Sequence, residues 1–328
     1  MSTEIEIPSK RRGWVAGLLV VSLACNVAVL FLPFMDLRAG LSSEPYSLIN
    51  SIKMLWDSGL YVLAALVVGF SVVFPFAKLA VLTSVCMAGR IEARNERWLE
   101  WVERLGKWSM LDVFLVCIIL SLTSGQMMVG AKPLIGIPVF VAAILLSLIA
   151  GQLLAATAAG RVVERSISVE NGAKGAVAKG GVWLVLSGLA LVGAVSFPFL
   201  KISDWLLADR AYSIAQLVPT LWLEGAYTPS VIIGVFLLAA PFVAWGVSWR
   251  WWWLRRQGKP AGAMRRRMTI ARHWSMLDVF GLALAIFLVE GEYLMKTEVR
   301  WGALFLVALV ALERVAQAAL NRAFPVEE

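Results

Sequence analysis

Trp108-Ser109-Met110-Leu111-Asp112-Val113-Phe114 occurs twice in this chain, the second time as Trp274-Ser275-Met276-Leu277-Asp278-Val279-Phe280. Each copy follows a basic stretch and opens a long apolar run. The offset of 166 residues holds well beyond the heptapeptide: Tyr46 matches Tyr212, Trp56 matches Trp222, Gly59 matches Gly225 and Tyr61 matches Tyr227. Pro75-Phe76 matches Pro241-Phe242, Gly125 matches Gly291 and Gly136 matches Gly302, with no gap across these positions. Self-similarity at a fixed period marks an internal duplication. Whatever one half folds into, the other half folds into as well.

Composition says where the two halves sit. Of 328 residues, 60% are hydrophobic and only 16% charged, and the mean hydropathy is +0.78. Apolar runs of membrane-spanning length recur along the chain. The formal net charge of +8 would suggest nucleic acid in a soluble protein; here loops on one side of a membrane account for it. The three cysteines, Cys25, Cys86 and Cys117, lie inside apolar segments without a CxxC, as small buried hydrophobes do. His273 is the sole histidine, which excludes a bis-histidine haem or a histidine-rich metal centre. No G-x-x-x-x-G-K-[ST] occurs, so nucleotide hydrolysis is not expected.

The pattern predicts an all-α polytopic membrane protein with eight spans, at about 14–35, 60–87, 108–128, 134–159, 181–200, 227–249, 274–294 and 301–320. Four fall in each repeat, and an even number makes the repeats parallel. The domains are a tail at 1–13, a first four-helix module at 14–159, a basic linker at 160–180, a second module at 181–320 and a tail at 321–328. The first run is too long for a signal-peptide core and lacks a small-residue cleavage site, so it reads as an uncleaved span. Of the 30 Lys and Arg, 22 fall in the N-terminal tail, the 88–107, 160–180 and 250–273 loops and the C-terminal end (Arg314 and Arg322); 7 fall in the opposite loops. Both termini are therefore expected in the cytoplasm.

The loops carry further signals. Residues 46–56 have apolar side chains at helical spacing, as in a short helix lying on the outer face. Two readings stand open, a docking surface for an outer partner or a lid over the bundle. Residues 90–107 interleave Arg and Glu, as on a solvated helix with i,i+4 pairs. Trp249-Arg250-Trp251-Trp252-Trp253 with Arg255 and Arg256 is an interfacial anchor, with anionic headgroups as natural company; nucleic-acid binding is the poor reading. Pro75 and Pro241 sit inside matched spans, so a bend belongs to both modules.

Charges inside spans are costly and mark candidate sites. The first module offers Lys78 in its second span and Asp112 in its third, close enough for an ion pair if the lysine snorkels. Ser71 precedes Lys78 by seven residues and Ser109 precedes Asp112 by three, each on the same helix face. Ser147 lies near the middle of the fourth span. A structural network and a working polar cavity both fit Ser109 and Asp112; the cavity reading is favoured for Lys78. In the second module Lys78 becomes Ala244, Ser71 becomes Leu237 and Ser147 becomes Glu313. There Arg314 neutralises Glu313, or Ser275, Asp278 and Glu313 form a proton-linked group.

The repeated heptapeptide, after a basic loop and within a four-span module used twice, resembles the paraquat-inducible protein A family over about residues 14–320. The resemblance implies a non-enzymatic inner-membrane protein of a Gram-negative cell. It implies a periplasmic MCE-domain partner that forms a lipid tunnel, and membrane lipids as cargo loaded or unloaded at the inner membrane. Ser109 and Asp112 match the family's polar site directly, with Lys78, Ser71 and Ser147 as companions. A lone exporter coupled to protons, or a structural scaffold, are the alternatives. Many members carry zinc-ribbon CxxC pairs before each module. This chain has none, so no zinc and no other cofactor is expected.

Overall fold

The computed structural model describes residues 5–6, 8–39, 42–57, 59, 61–91, 98, 101, 106–123, 129–159, 174–202, 210–257, 262–291 and 297–323. The chain divides into two compact units, Met1–Arg161 and Val162–Glu328. The interleaved Arg and Glu stretch lies largely outside the described residues, as do residues 160–173 of the linker and Gly125.

In the first unit a two-residue strand, Ile5–Glu6, pairs antiparallel with Arg90–Ile91 and precedes helix α1, Ser9–Phe31. The helix stops four residues before the expected end at Met35, because Pro33 forces the preceding residue out of helical geometry. Strands β1, Pro33–Ala39, and β2, Ser42–Ser47, follow. Next come the short helix α2, Leu48–Asp57, and the long helix α3 over 61–88. A 3-10 turn, Lys107–Met110, leads into α4, Leu111–Thr123. Strand β3, Val129–Pro133, precedes α5, Gly136–Ala159.

The second unit repeats this order. It contains α6, Lys174–Ser196, β4, Leu200–Ile202, β5, Arg210–Tyr212, and α7, Ile214–Leu223. Helix α8, Tyr227–Arg256, is continuous through a π segment. Then come α9, Gly262–Trp274, α10, Leu277–Gly291, β6, Thr297–Val299, and α11, Trp301–Ala323. The linker's last residues are thus helical from Lys174, and α6 ends at Ser196 ahead of Pro198, not at the expected 200.

Among the described residues, seven helices are long and apolar enough to cross a membrane. The expected third span is described only from Lys107 to Thr123, with residues 124–128 outside the description. In each unit the first and fourth long helices pack along one another, α1 on α5 and α6 on α11. A buried polar group joins the first pair, where Ser22 Oγ donates to the Ala143 carbonyl at 2.8 Å, while within α1 Asn26 Nδ2 donates to the Ser22 carbonyl at 2.8 Å. In an apolar medium such bonds substitute for the missing hydrophobic drive between helices.

The loops that join the first long helix to the second, and the third to the fourth, hold a feature not expected from the sequence. Each unit closes with a three-stranded antiparallel sheet, in the order β2-β1-β3 and β5-β4-β6. In the first, Asp36 stands opposite Lys132; in the second, Lys201 stands opposite Glu298. The opposite-charge pair is kept and its polarity reversed, as cross-strand pairing favours. The surface helix α2 forms where expected, and its counterpart α7 is fixed by a capping box between Ser213 and Gln216. The following ring pair is reproduced: Trp56 on Tyr61 and Trp222 on Tyr227 both have centroids 5.0 Å apart at 74°.

Pro75 and Pro241 do more than bend a helix. Each follows a six-residue π segment, Val68–Val73 and Gly234–Ala239, at matched positions. A proline has no N–H and crowds the carbonyl four residues back; widening the preceding turn relieves that crowding. Phe74 N–H accordingly reaches back five residues to the Gly69 carbonyl, and Ala240 N–H to that of Val235.

The fourth long helix of each unit starts hard against the chain leaving the first. A Cβ on Gly136 would stand 2.5 Å from the Pro33 carbonyl oxygen, and one on Gly302 would collide with that of Phe197. Nothing lies within 4 Å of a Cβ on Gly17. Gly136→Ala and Gly302→Ala should each cost about 1–3 kcal/mol through forced backbone displacement, lowering the thermal midpoint in detergent. Gly17→Ala should leave it unchanged or slightly raised; equal midpoints for all three would contradict this packing.

Candidate functional site

Lys78 lies one turn beyond Pro75 in α3 and is 2% exposed. An ammonium at such a place needs oxygen partners. Its Nζ donates to Ser147 Oγ of α5 at 3.0 Å, and that hydroxyl donates to the Ile144 carbonyl at 2.8 Å. The proton of Ser147 is thus turned along its own helix, leaving a lone pair for the lysine.

The start of the third span closes over this pair. Gly106 is buried, and a Cβ there would stand 3.3 Å from Lys78 Nζ and 3.1 Å from Leu148 Cδ2. Glycine is what lets the backbone come down onto the ammonium. Three residues on, Ser109 is 2% exposed, and its Oγ has no hydrogen-bond partner among the described residues. Such an orphaned hydroxyl costs about 1–3 kcal/mol. Ser71 is buried within the π segment that packs against this turn. Of the five residues predicted for the first module, four are therefore buried on three mutually packed elements. Asp112 follows in the first turn of α4; its side chain lies outside the described residues, and its pairing with Lys78 belongs with the proposals below.

In the second module the same place is rebuilt from other positions. Ala244 and Leu237, which replace Lys78 and Ser71, are both buried. The cation is Arg272, which occupies the position of Gly106 in the 166-residue register. Its Nη2 donates to the main-chain carbonyl of Glu313, the counterpart of Ser147, at 3.3 Å. With the amide of Gln317 turned oxygen-inward, Gln317 accepts from Arg272 Nη2 at 2.7 Å and Nε at 2.8 Å, and from Nη1 as well. So each module holds one cation against its fourth long helix, delivered from α3 in the first and from α9 in the second.

Ser275 and Asp278 are half-buried where the helix is interrupted between α9 and α10. Asp278 Oδ1 accepts the Val279 N–H at 3.0 Å, a local use that suits a helix start. The interruption docks on the π segment: Met276 N–H donates to the Phe236 carbonyl at 3.4 Å, and Trp274 stacks on Phe236 at 5.8 Å. The heptapeptide is thus the seam where an irregular third span meets an irregular second one.

Sequence reading passed over Gly106, Arg272 and Gln317, and the Ser22–Asn26 pair of α1. The signal for Gly106 and Arg272 was available. In the register that aligns the heptapeptides, Lys78 and Gly106 stand against Ala244 and Arg272, a loss and a gain of one cation.

Long apolar helices arranged as two copies of one module, with a lysine sealed inside the first, define a polytopic helical membrane protein built by duplication. The family described as "Paraquat-inducible protein A" matches residues 13–158 and 181–324, and the chain belongs to that family. It is similar to the intermembrane transport proteins PqiA of Escherichia coli strain K12 and of Shigella flexneri. Each is 28% identical over 128 residues, 38% of this chain. The matched region spans 31% of the length of those relatives. No solved structure matches the chain.

If the cation and not its helix of origin is what the module requires, it can be moved back. Arg272→Gly leaves the acceptors on α11 unpartnered and should cost about 1–3 kcal/mol. Adding Ala244→Lys should recover part of that loss in the thermal midpoint. No recovery would mean that the second module needs the guanidinium itself.

Proposed function

We propose that this chain is the inner-membrane subunit of an intermembrane lipid-transport system, not an enzyme, and that it passes lipid to or from a periplasmic MCE-domain partner. The polar site at Ser71, Lys78, Ser109, Asp112 and Ser147 is where a lipid headgroup is handled. The observation that carries this reading is Lys78: an ammonium 2% exposed inside an apolar helix, with, among the described residues, one seryl partner and an orphaned seryl hydroxyl on the adjoining turn. A structural role alone explains neither the orphaned hydroxyl nor the glycine over the ammonium. The printed name of the relatives, intermembrane transport protein, supports the same class of function. On this reading both termini lie in the cytoplasm and the small sheets face the periplasm, where the partner docks. In the second module Ser275, Asp278 and Glu313 make a proton-linked role the second proposal.

Asp112 is proposed as the counter-charge of Lys78. Removing one member of a buried pair typically costs roughly 3–5 kcal/mol, more than removing both, so single variants confound folding with function. Lys78→Met and Asp112→Asn, alone and together, should therefore be scored for folded yield and for lipid transport in cells. The double variant is expected to regain yield and stay inactive. Wild-type transport in the double variant would remove both residues from the site, and equal behaviour of all three variants would remove the pair as well. Co-purification of an MCE-domain protein with the wild-type chain tests the partner; a transport-active single protein in liposomes would favour a lone exporter instead.

A further inference from the structure

The surface helices α2 and α7 occupy matched places but present different outward rows. On α2 the row is Asn50, Lys53 and Asp57, all exposed; in the 166-residue register these become Gln216, Pro219 and Leu223. Both charges are lost, and no charged residue falls between Arg210 and Glu224. Leu223 at the tip of α7 is 85% exposed, and Trp222 beside it 53%. An apolar helix of 10 residues cannot cross a membrane; it is either a core helix or an interfacial one. In α7 a single row, Ile214, Leu217 and Leu221, is buried.

The polar side chains of α7 are used within it. Ser213 Oγ accepts the Gln216 N–H and Gln216 Oε1 accepts the Ser213 N–H, both at 3.3 Å. Thr220 Oγ1 donates to the Gln216 carbonyl at 2.8 Å. The helix is also fixed in place. Gly225, with φ at +78°, turns the chain back, so that α7 lies alongside the first turns of α8 and not across their end. Ser230 Oγ of α8 donates to the Val218 carbonyl at 2.8 Å, and a Cβ on Gly234 would touch the Val218 side chain at 3.9 Å. The outward row therefore faces sideways, into whatever surrounds the start of α8.

That surrounding is lipid. Tyr227, Val231 and Val235 are exposed at four-residue spacing along α8, a helix of membrane-spanning length. Trp222 packs edge-on against Tyr227 at 5.0 Å, so the apolar row of α7 continues the row of α8 without a break. The far end of α8 carries the Trp249–Trp253 anchor. At about 1.5 Å per residue, Tyr227 lies roughly 33 Å from Trp249, close to the ~30 Å of a hydrocarbon core. The Trp222–Tyr227 pair thus stands at the opposite boundary, where aromatic rings with one polar tip are favoured.

We propose that α7 is embedded in the bilayer at the boundary of headgroups and acyl chains, with lipid against Trp222 and Leu223, while the charged row of its counterpart α2 stays in water. The exposed face of α7 is then a membrane contact and not a docking surface for a protein. This seat is independent of the polar site around Lys78 and of which side of the membrane the termini occupy.

The test compares matched positions in the full chain, held in phosphatidylcholine nanodiscs. With Cys25→Ala, Cys86→Ala and Cys117→Ala as background, a spin label is attached through Leu223→Cys or through Asp57→Cys. Collisions with oxygen, which concentrates in the bilayer, are compared with those of a water-soluble nickel chelate. Oxygen should dominate at residue 223 and the chelate at residue 57. The same preference at both positions, or exclusion of both reagents at residue 223, overturns the proposal. A second measurement keeps the native cysteines. A photo-crosslinking aromatic amino acid in place of Trp222, irradiated in cells, should capture lipid. Adding Leu223→Asp, which restores the first module's residue at an exposed position, should remove more than half of that capture. Unchanged capture in this variant overturns the proposal, and so does an adduct to protein in place of lipid.

Discussion

A membrane interior supplies no water to an unpaired backbone group, so every break in one helix has to be answered by another element. This chain contains two such breaks per module, and they meet. The π segments before Pro75 and Pro241 disturb the hydrogen-bond ladder of the second span. The heptapeptide then interrupts the third span where the two spans pack, as a 3-10 turn in one module and as a gap between α9 and α10 in the other. In the second module the repair is visible as Met276 N–H donating to the Phe236 carbonyl. The heptapeptide is repeated letter for letter because it has to fit this seam twice. Its Ser and Asp are the polar part of that fit, and its Met, Leu, Val and Phe are buried in both copies.

Around a shared frame the modules have diverged in what the seam holds. In the first, a lysine reaches Ser147 under a bare glycine, and the hydroxyl of Ser109 is left over. In the second, a guanidinium donates to Gln317 and to the Glu313 carbonyl. The Ser109 hydroxyl, without a partner among the described residues, is the physical basis for the proposal that a ligand is handled in the first module. The small sheets show the same logic at smaller scale, with Asp36 opposite Lys132 becoming Lys201 opposite Glu298.

Much of this was legible in the sequence. The duplication, the apolar spans and the surface helix at Leu48–Asp57 follow from periodicity and composition, because helices in a membrane are defined by local apolar runs. Lys78 and Ser147 were found because a charge within such a run has few excuses. The π segments were not legible, since no propensity favours them and only the proline nearby hints at the disturbance. The sheets were missed because their strands are short and β3 pairs with β1 about ninety residues earlier, a relation no local pattern records. Arg272 looked like one more loop cation until α9 brought it to Gln317. The helix ends at Phe31 and Ser196 were readable from Pro33 and Pro198 but were set by hydropathy instead.

The central claim is that the first module handles lipid where the second is closed by its own arginine. Matched positions allow a direct measurement. A photo-crosslinking amino acid placed at Ser147, and separately at its counterpart Glu313, would be irradiated in cells, and the purified protein analysed for covalently attached lipid by mass spectrometry. The account predicts a lipid adduct at residue 147 and little or none at residue 313. Equal adducts at both positions, or an adduct at residue 313 alone, would contradict it.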